Sequence, residues 1–313
     1  MGSARPLNLL ITGGSGNLGS WLSRHLAPHH QVTVQSRRAE AWVPAGATRW
    51  VADMLDADAL RTHLEAHAYD VVIHLASANE FFEPAYAKKA LDVNTWGTRL
   101  LLDALGTTPQ RPHLLYFSTF HVYGKASGTV TEDTPPTPRN DYAASHYFAE
   151  HYVRMVGDQH KLPWTIFRLT NSYGAPLWAD SSKWYLVLND LARMAHSTQT
   201  LVLKSNGKAR RDFIWMGDVC QMAAAYLQQP TPGQVYNLGS GITYDVLHIA
   251  QAVQQAYLQH SGQHIPIQVN TADTTDYPAL QVDCSRLHQL LKPTLHEAFA
   301  EEALAIFRLL ETR

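Results

Sequence analysis

The chain has 313 residues, 45% of them hydrophobic and 17% charged, with a formal net charge of -2, a balance that predicts a soluble packed protein of one large domain or two unequal ones and excludes bulk attraction to nucleic acid or an anionic membrane. The two cysteines, Cys220 and Cys284, stand apart without metal-type or redox-type spacing, so neither a metal site nor a disulfide framework is expected, and a reducing cytoplasm is the expected setting. No apolar run approaches the roughly 18 residues of a membrane span, and the first strand begins too early to leave room for a signal peptide.

In chain order, residues 9–11 are an apolar run with no wet face, which reads as a short buried strand. It runs into Thr12-Gly13-Gly14-Ser15-Gly16-Asn17-Leu18-Gly19. Glycines 13, 16 and 19 supply a turn with unusual dihedrals, a backbone free of Cβ where phosphate approaches, and tight packing of helix on strand. Leu18, Trp21, Leu22 and Leu26 then share one helical face, so the loop from Gly13 through Gly16, Asn17, Leu18 and Gly19 reads as a dinucleotide site. The free N–H groups and dipole of the helix start face its diphosphate.

Residues 31–38 predict a second strand, its end beside the adenosine ribose. An acidic residue there would bind the ribose hydroxyls of NAD. This chain has Gln35, Ser36, Arg37 and Arg38 instead. A hydroxyl and two guanidiniums suit a 2′-phosphate, which favours NADP over NAD; the alternative is a pair of solvated arginines at a strand end. A third strand at 50–54 brings Asp53 and Met54 to the cofactor end, where Asp53 either caps a loop or binds the adenine edge. After a helix at 57–66, a fourth strand at 69–76 closes on Leu75 and Ala76, small enough at its tip for the cofactor to pass. Such alternation calls for a parallel sheet covered on both faces.

A long helix is predicted over 85–105, carrying Asn94 and Gly97. A strand at 113–118 leads into Thr119-Phe120-His121-Val122-Tyr123-Gly124, and a proline-rich stretch at 134–138 precedes a helix beginning at 141 or 142. A sixth strand at 164–169 runs into Thr170-Asn171-Ser172-Tyr173-Gly174. The alternation then loosens into a helix at 184–196, a strand at 200–203, the stretch 208–214, a helix at 218–228 and a strand at 235–238. That change predicts a second, smaller lobe interleaved with the first: residues 1–170 plus 209–239 for the dinucleotide, and 171–208 plus 240–313 for the substrate.

With TGGSGNLG at 12–19, HLAS at 74–77, NTWGT at 94–98, STFHVYG at 118–124, Tyr142, RLTNSYG at 168–174, RRDFIWMGDV at 210–219 and YNLGSG at 236–241, the chain resembles the extended short-chain dehydrogenase/reductase family. That group includes NAD-dependent nucleotide-sugar epimerases and dehydratases. The resemblance implies an α/β fold, a Rossmann-type doubly wound parallel sheet with a smaller interleaved α/β substrate lobe. It implies that Thr119 bonds the reacting hydroxyl or carbonyl, that Tyr142 exchanges its proton, and that the nicotinamide C4 exchanges a hydride with the substrate carbon. Asn94 would support the site, Asn171 and Arg211 would hold a nucleoside diphosphate, and His121 would either pack locally or touch substrate. Two long helices, 85–105 and 142–160, resemble those that pair in family homodimers.

The largest departure is at the fourth residue after the tyrosine, in Tyr142-Ala143-Ala144-Ser145-His146. The family usually has lysine there, holding the nicotinamide ribose and lowering the tyrosine pKa. Three readings stay open: His146 replaces lysine, donating a hydrogen bond to the ribose and becoming cationic when it titrates; Tyr142 serves mainly as a proton donor; or catalysis is lost and the chain only binds a nucleotide. A second departure is Asp273-Thr274, in a neighbourhood where many relatives place an arginine on the substrate diphosphate. The third is Phe120 and His121 after Thr119, where dehydration would call for an acid and a base. The expected activity is therefore that of an NAD(P)-dependent epimerase or reductase of a sugar hydroxyl or keto group, with a nucleotide sugar as its small-molecule substrate. The alternatives are a reductase of non-sugar carbonyls and a non-catalytic nucleotide-binding protein.

Overall fold

The computed structural model describes residues 5–39, 41–79, 85–178 and 183–312. In chain order these form β1 (Asn8–Thr12), α1 (Asn17–Leu26), β2 (Gln31–Ser36), β3 (Thr48–Val51), α2 (Ala57–Ala66), β4 (Val71–His74), α3 (Tyr86–Ala90), a π-helical turn (Leu91–Trp96), α4 (Gly97–Thr107), β5 (His113–Thr119), β6 (Gly128–Val130) and α5 (Asp141–His160). There follow β7 (Trp164–Leu169), β8 (Asn171–Tyr173), α6 (Val187–Thr198), β9 (Leu201–Val202), β10 (Arg210–Trp215), α7 (Met216–Gln228), β11 (Gln234–Leu238), β12 (Thr243–Asp245), α8 (Val246–Ser261), β13 (Ile267–Gln268), β14 (Leu280–Val282), α9 (Ser285–Leu291) and α10 (Phe299–Glu311). They divide into two compact units. The first takes the chain up to Gly124, then Glu132–Leu169 and Ala223–Leu238; the second takes Lys125–Thr131, Thr170–Met222 and the chain from Gly239 on.

The first unit is built on a seven-stranded sheet in the order β11-β7-β5-β4-β1-β2-β3, parallel at every pairing. Its inner strands are apolar runs because helices cover both faces: Leu9, Leu10 and Ile11 of β1 and every residue of β5 are buried. Leu101, Leu102 and Leu105 of α4 pack with Val153 and Val156 of α5 and Leu114 and Ile166 of the sheet. At β1 the strand order turns, β2 and β3 lying on one side and β4, β5, β7 and β11 on the other. Open α/β sheets take their ligands outside the carboxyl ends of the strands at such a point. There Thr12 stands in register with His74.

The helix expected over 85–105 is not continuous. Between α3 and α4 the backbone widens into the π-helical turn, and the buried Asn94 inside it reaches across to Ala78. A register with one extra residue per turn lets that amide leave the helix. Two strands also end earlier than expected, β2 at Ser36 and β3 at Val51, so Arg37, Arg38, Asp53 and Met54 all lie on the turns beyond them.

The second unit holds the sheet β12-β10-β8 and the pairs β13-β9 and β14-β6. Leu188, Leu191, Ile249, Val253, Phe299, Ile306 and Phe307 join α6, α8 and α10 into one core. Residues 209–222, assigned from sequence to the first lobe, belong here, because Phe213–Trp215 runs parallel to Asn171–Tyr173. Residues 125–131 also belong here, since β6 pairs with β14.

Candidate active site

Gly13 follows β1 at φ +63°, where an added Cβ would lie 2.7 Å from the Ala76 backbone, and a Cβ on Gly19 would lie 2.4 Å from the Gly13 carbonyl. Both contacts exclude a side chain. Helix α1 begins after Gly16 with no side-chain cap, so among the described residues no capping side chain claims its first N–H groups. Leu18 follows in the first turn. Beside it the amide of Asn17 has both polar atoms buried with no hydrogen-bond partner. A buried amide left unmet calls for an explanation, and a polar ligand seated on the open helix start supplies one. The loop therefore fits a dinucleotide diphosphate. Gln35 braces it from β2: its Oε1 accepts the Gly13 N–H at 2.9 Å and its Nε2 donates to the Ala52 carbonyl at 2.6 Å. Gln35 is thereby removed from the residues that could face a ribose.

Past β2, the buried Ser36 hydroxyl donates to the Arg38 carbonyl at 2.9 Å, while the side chains of Arg37 and Arg38 are exposed. Asp53 is exposed, and its carboxylate accepts the Leu55 N–H at 2.9 Å; it organises a turn above the buried Met54. Leu75 and Ala76, just past β4, are half-buried.

Thr119 ends β5 and caps a short turn, its hydroxyl accepting the His121 N–H at 3.2 Å. Tyr142 enters from the first turn of α5, which Asn140 caps by accepting the Ala143 N–H at 2.8 Å. Burial pushes the Tyr142 phenol above its ordinary value of 10.0, and the Thr119 hydroxyl beside it pulls the other way. The exposed ring of His121 stands edge-on to Tyr142 with 6.0 Å between centroids.

One turn along α5, His146 is 3% exposed. It meets Tyr142 ring against ring, T-shaped at 4.7 Å. Its Nδ1 lies 2.8 Å from the Tyr116 hydroxyl and its Nε2 lies 3.4 Å from the Ser77 hydroxyl. Burial, reinforced by His74 and His121, pushes its pKa down to about 3. Burial in so dry a pocket favours the neutral imidazole and weighs against the reading in which it becomes cationic. Below it His74, also pushed to about 3 by burial, bridges the hydroxyls of Thr12 at 2.6 Å and Thr98 at 2.9 Å.

Asn94 spends its amide on the scaffold. Its Oδ1 accepts the Ala78 N–H at 2.6 Å, and its Nδ2 donates to the Ala78 carbonyl at 3.1 Å and to the Ser145 hydroxyl at 3.0 Å. It positions the segment after β4 against α5. Two turns beyond Tyr142, the fully buried Glu150 receives Arg168 through two bonds of 3.0 and 2.7 Å, together with the Ser118 hydroxyl at 2.7 Å. This ion pair fixes α5 to β5 and β7.

Residues 9–239 match the model of the NAD dependent epimerase/dehydratase family. The chain belongs to that family. It is 29% identical over 264 residues to the low-salt glycan biosynthesis protein Agl12 of Haloferax volcanii, covering 80% of this chain and 82% of that protein. It is 26% identical over 211 residues to the dTDP-D-glucose 4,6-dehydratase of Bos taurus, covering 65% of this chain and 56% of that relative, little more than half its length. Among solved structures, the UDP-glucuronic acid 4-epimerase of Bacillus cereus, in complex with UDP-glucuronic acid and NAD, superposes with a TM-score of 0.80 at 21% identity, over 98% of this chain and 99% of that one.

Of the residues singled out from the sequence, the structure gathers Thr119, Tyr142, His146 and His121 in the first unit. In the second unit Asn171 donates to the Asp212 carbonyl at 2.8 Å, and the exposed Arg211 stands on β10 opposite Tyr244. Asp273 accepts the Asn206 N–H at 3.0 Å and the Tyr277 hydroxyl at 2.9 Å, and donors from Thr275 and Asn206 hold it well below the usual carboxylate range. It organises a loop. Sequence reasoning missed Tyr116, His74, Glu150 and Asp212. Glu150 and Arg168 carried a readable signal, being charges among core positions of a helix and a strand. Asp212, buried, gathers the Thr170 hydroxyl at 2.7 Å and the Gly241 N–H at 2.6 Å.

Proposed function

We propose that the chain is an NAD(P)-dependent enzyme of nucleotide-linked sugars, a reductase or epimerase, whose favoured chemical step is carbonyl reduction with Tyr142 as proton donor. The observation that carries this is the buried His146, which stands one turn beyond Tyr142 where the family usually has lysine. An unperturbed tyrosine is phenolate in only about one part in a thousand at pH 7, burial lowers that fraction further, and position 146 carries no lysine to reverse it. The neutral phenol is the abundant form, and it is an acid.

In this reading Gly13, Gly16, Asn17, Leu18 and Gly19 hold the diphosphate. Arg37 and Arg38 receive a 2′-phosphate, which favours NADP, while Ser36 holds the turn through its bond to the Arg38 carbonyl. Asp53 and Met54 border the adenine, Leu75 and Ala76 line the passage, and His146 faces the nicotinamide ribose. When bound, the dinucleotide supplies the hydride. Thr119 donates a hydrogen bond to the substrate carbonyl oxygen, and Tyr142 gives that oxygen its proton as the carbon is reduced, so the product leaves as a neutral alcohol. The phenolate left behind regains a proton from solvent. Asn171 and Arg211 hold the nucleoside diphosphate, and His121 touches the sugar. Dehydration is disfavoured because Phe120 and His121 place no carboxyl after Thr119. Leu91, Trp96, Phe148 and Met155 are large exposed apolar side chains on the π-helical turn and α5, which supports a homodimer through these helices.

The test follows NADPH and NADH consumption with a panel of nucleotide-linked keto sugars and of free aldehydes and ketones. Turnover of keto-sugar nucleotides, lost in Tyr142→Phe while cofactor binding persists, is the expected result. Turnover of free carbonyls alone would make the chain a reductase of non-sugar substrates, and full activity in Tyr142→Phe would remove the proton-transfer assignment.

A further inference from the structure

Tyr116 lies within β5, in register with His74 of β4 and Ile166 of β7, and is 2% exposed. Among the described residues its hydroxyl meets one partner, His146 Nδ1 at 2.8 Å. That contact decides where the imidazole carries its proton. Were it on Nδ1, it would point at the phenol oxygen, and the phenol hydrogen would be a buried donor with no acceptor. With the proton on Nε2, the phenol donates to Nδ1 and both of those atoms are satisfied. Buried polar groups are overwhelmingly paired, so the second arrangement holds.

We propose that Tyr116 is a positioning residue that fixes His146 as an Nε2–H donor, so that the imidazole turns a hydrogen-bond donor toward the segment that follows β4. The inference rests on the dinucleotide reading given above. Nε2 is directed at the segment that follows β4, where Ser77 lies 3.4 Å away. At that distance the bond to Ser77 is weak, which leaves the donor available to a closer acceptor such as a ribose hydroxyl. The other nitrogen is occupied by Tyr116, and the contact with Tyr142 is ring against ring. His146 therefore passes no proton to the phenol; its orientation comes from the strand beneath it.

The first measurement is the tautomer of His146 in the cofactor-free protein, read from long-range nitrogen–proton correlations of histidine-labelled samples. Wild type is expected to show Nε2–H, and Tyr116→Phe a mixture of tautomers. An Nδ1–H imidazole in wild type would overturn the proposal, and this readout stands even if the variant fails to fold. The second is a cycle of cofactor dissociation constants. Tyr116→Phe is expected to weaken NADPH binding about 2- to 10-fold, the range for one lost hydrogen bond, and to add nothing in a His146→Asn background. Equal weakening in both backgrounds would assign Tyr116 a packing role and overturn the proposal. If wild type binds neither NADPH nor NADH, the proposed function fails while the tautomer still reports on Tyr116. If wild type binds cofactor and Tyr116→Phe changes neither spectrum nor affinity, this inference alone falls.

Discussion

Replacing His146 with lysine tests the electrostatics of the cluster directly. The rings of residues 142 and 146 are 4.7 Å apart, so an ammonium at position 146 would stand about 5 Å from the phenol oxygen. At an effective dielectric of about 20, a unit charge at about 5 Å stabilises the phenolate by about 3 kcal/mol, or about 2 pKa units. Burial opposes the ammonium, as it opposes a charged His146, so about 2 units is the upper bound; the Tyr116 and Ser77 hydroxyls would offset part of that cost. The phenolate population at pH 7 would rise by up to about 100-fold. The assay is an ultraviolet phenolate titration of His146→Lys and of wild type, each taken as a difference from the same protein carrying Tyr142→Phe, which isolates one phenol among the 14 tyrosines. In parallel, the rate of substrate oxidation is expected to reach its plateau at lower pH in the variant. A cooperatively folded His146→Lys protein whose Tyr142 titrates at the wild-type pH would refute the reasoning, because the charge would then have no purchase on the phenol.

Acid should destabilise the fold through its buried imidazoles. His74 and His146 stay neutral in the folded chain down to about 3 but take up protons near 6.5 when unfolded. Stability is therefore full above about pH 6.5 and falls as pH drops toward 3, by about 2 kcal/mol for each histidine at pH 5; urea unfolding that is flat between pH 7.5 and 5 would contradict the burial. Glu150→Ala leaves Arg168 buried without its partner and is expected to cost about 3–5 kcal/mol in chemical denaturation, with an effect under 1 kcal/mol counting against the pair as a structural tie. Gly13→Ala forces a side chain into the left-handed region against the Ala76 backbone; it should abolish the thermal shift produced by NADPH, and an undiminished shift would relocate the diphosphate.

The parallel sheet and the placement of Tyr142 were legible because local signals and fold agree there: apolar strands ending in glycine or small residues, and a capped helix opening on the tyrosine. The π-helical turn was not, since apolar periodicity does not record one extra residue inside a helix when the cause is the Asn94 amide bonding Ala78 on another segment. Arg211 could be read as a phosphate ligand by type, but its strand pairs with β8 and β12, and sequence order alone misassigned that strand to the first lobe. Tyr116 looked like any core aromatic. Its meaning comes from a histidine thirty positions away, a contact only the packing of α5 on β5 creates. Gln35 was read beside the ribose, yet strand alternation turns its side chain inward to the glycine loop.

The substitution at position 146 also changes what the pocket can react with. A primary amine condenses with aldehydes and ketones to give an imine, and a site that keeps a lysine near a carbonyl compound lives with that side reaction. The cluster of Thr119, Tyr142, His146, Tyr116 and Ser77 contains hydroxyls and an imidazole but no amine. A carbonyl compound lodged beside Tyr142 would therefore form no imine within that cluster.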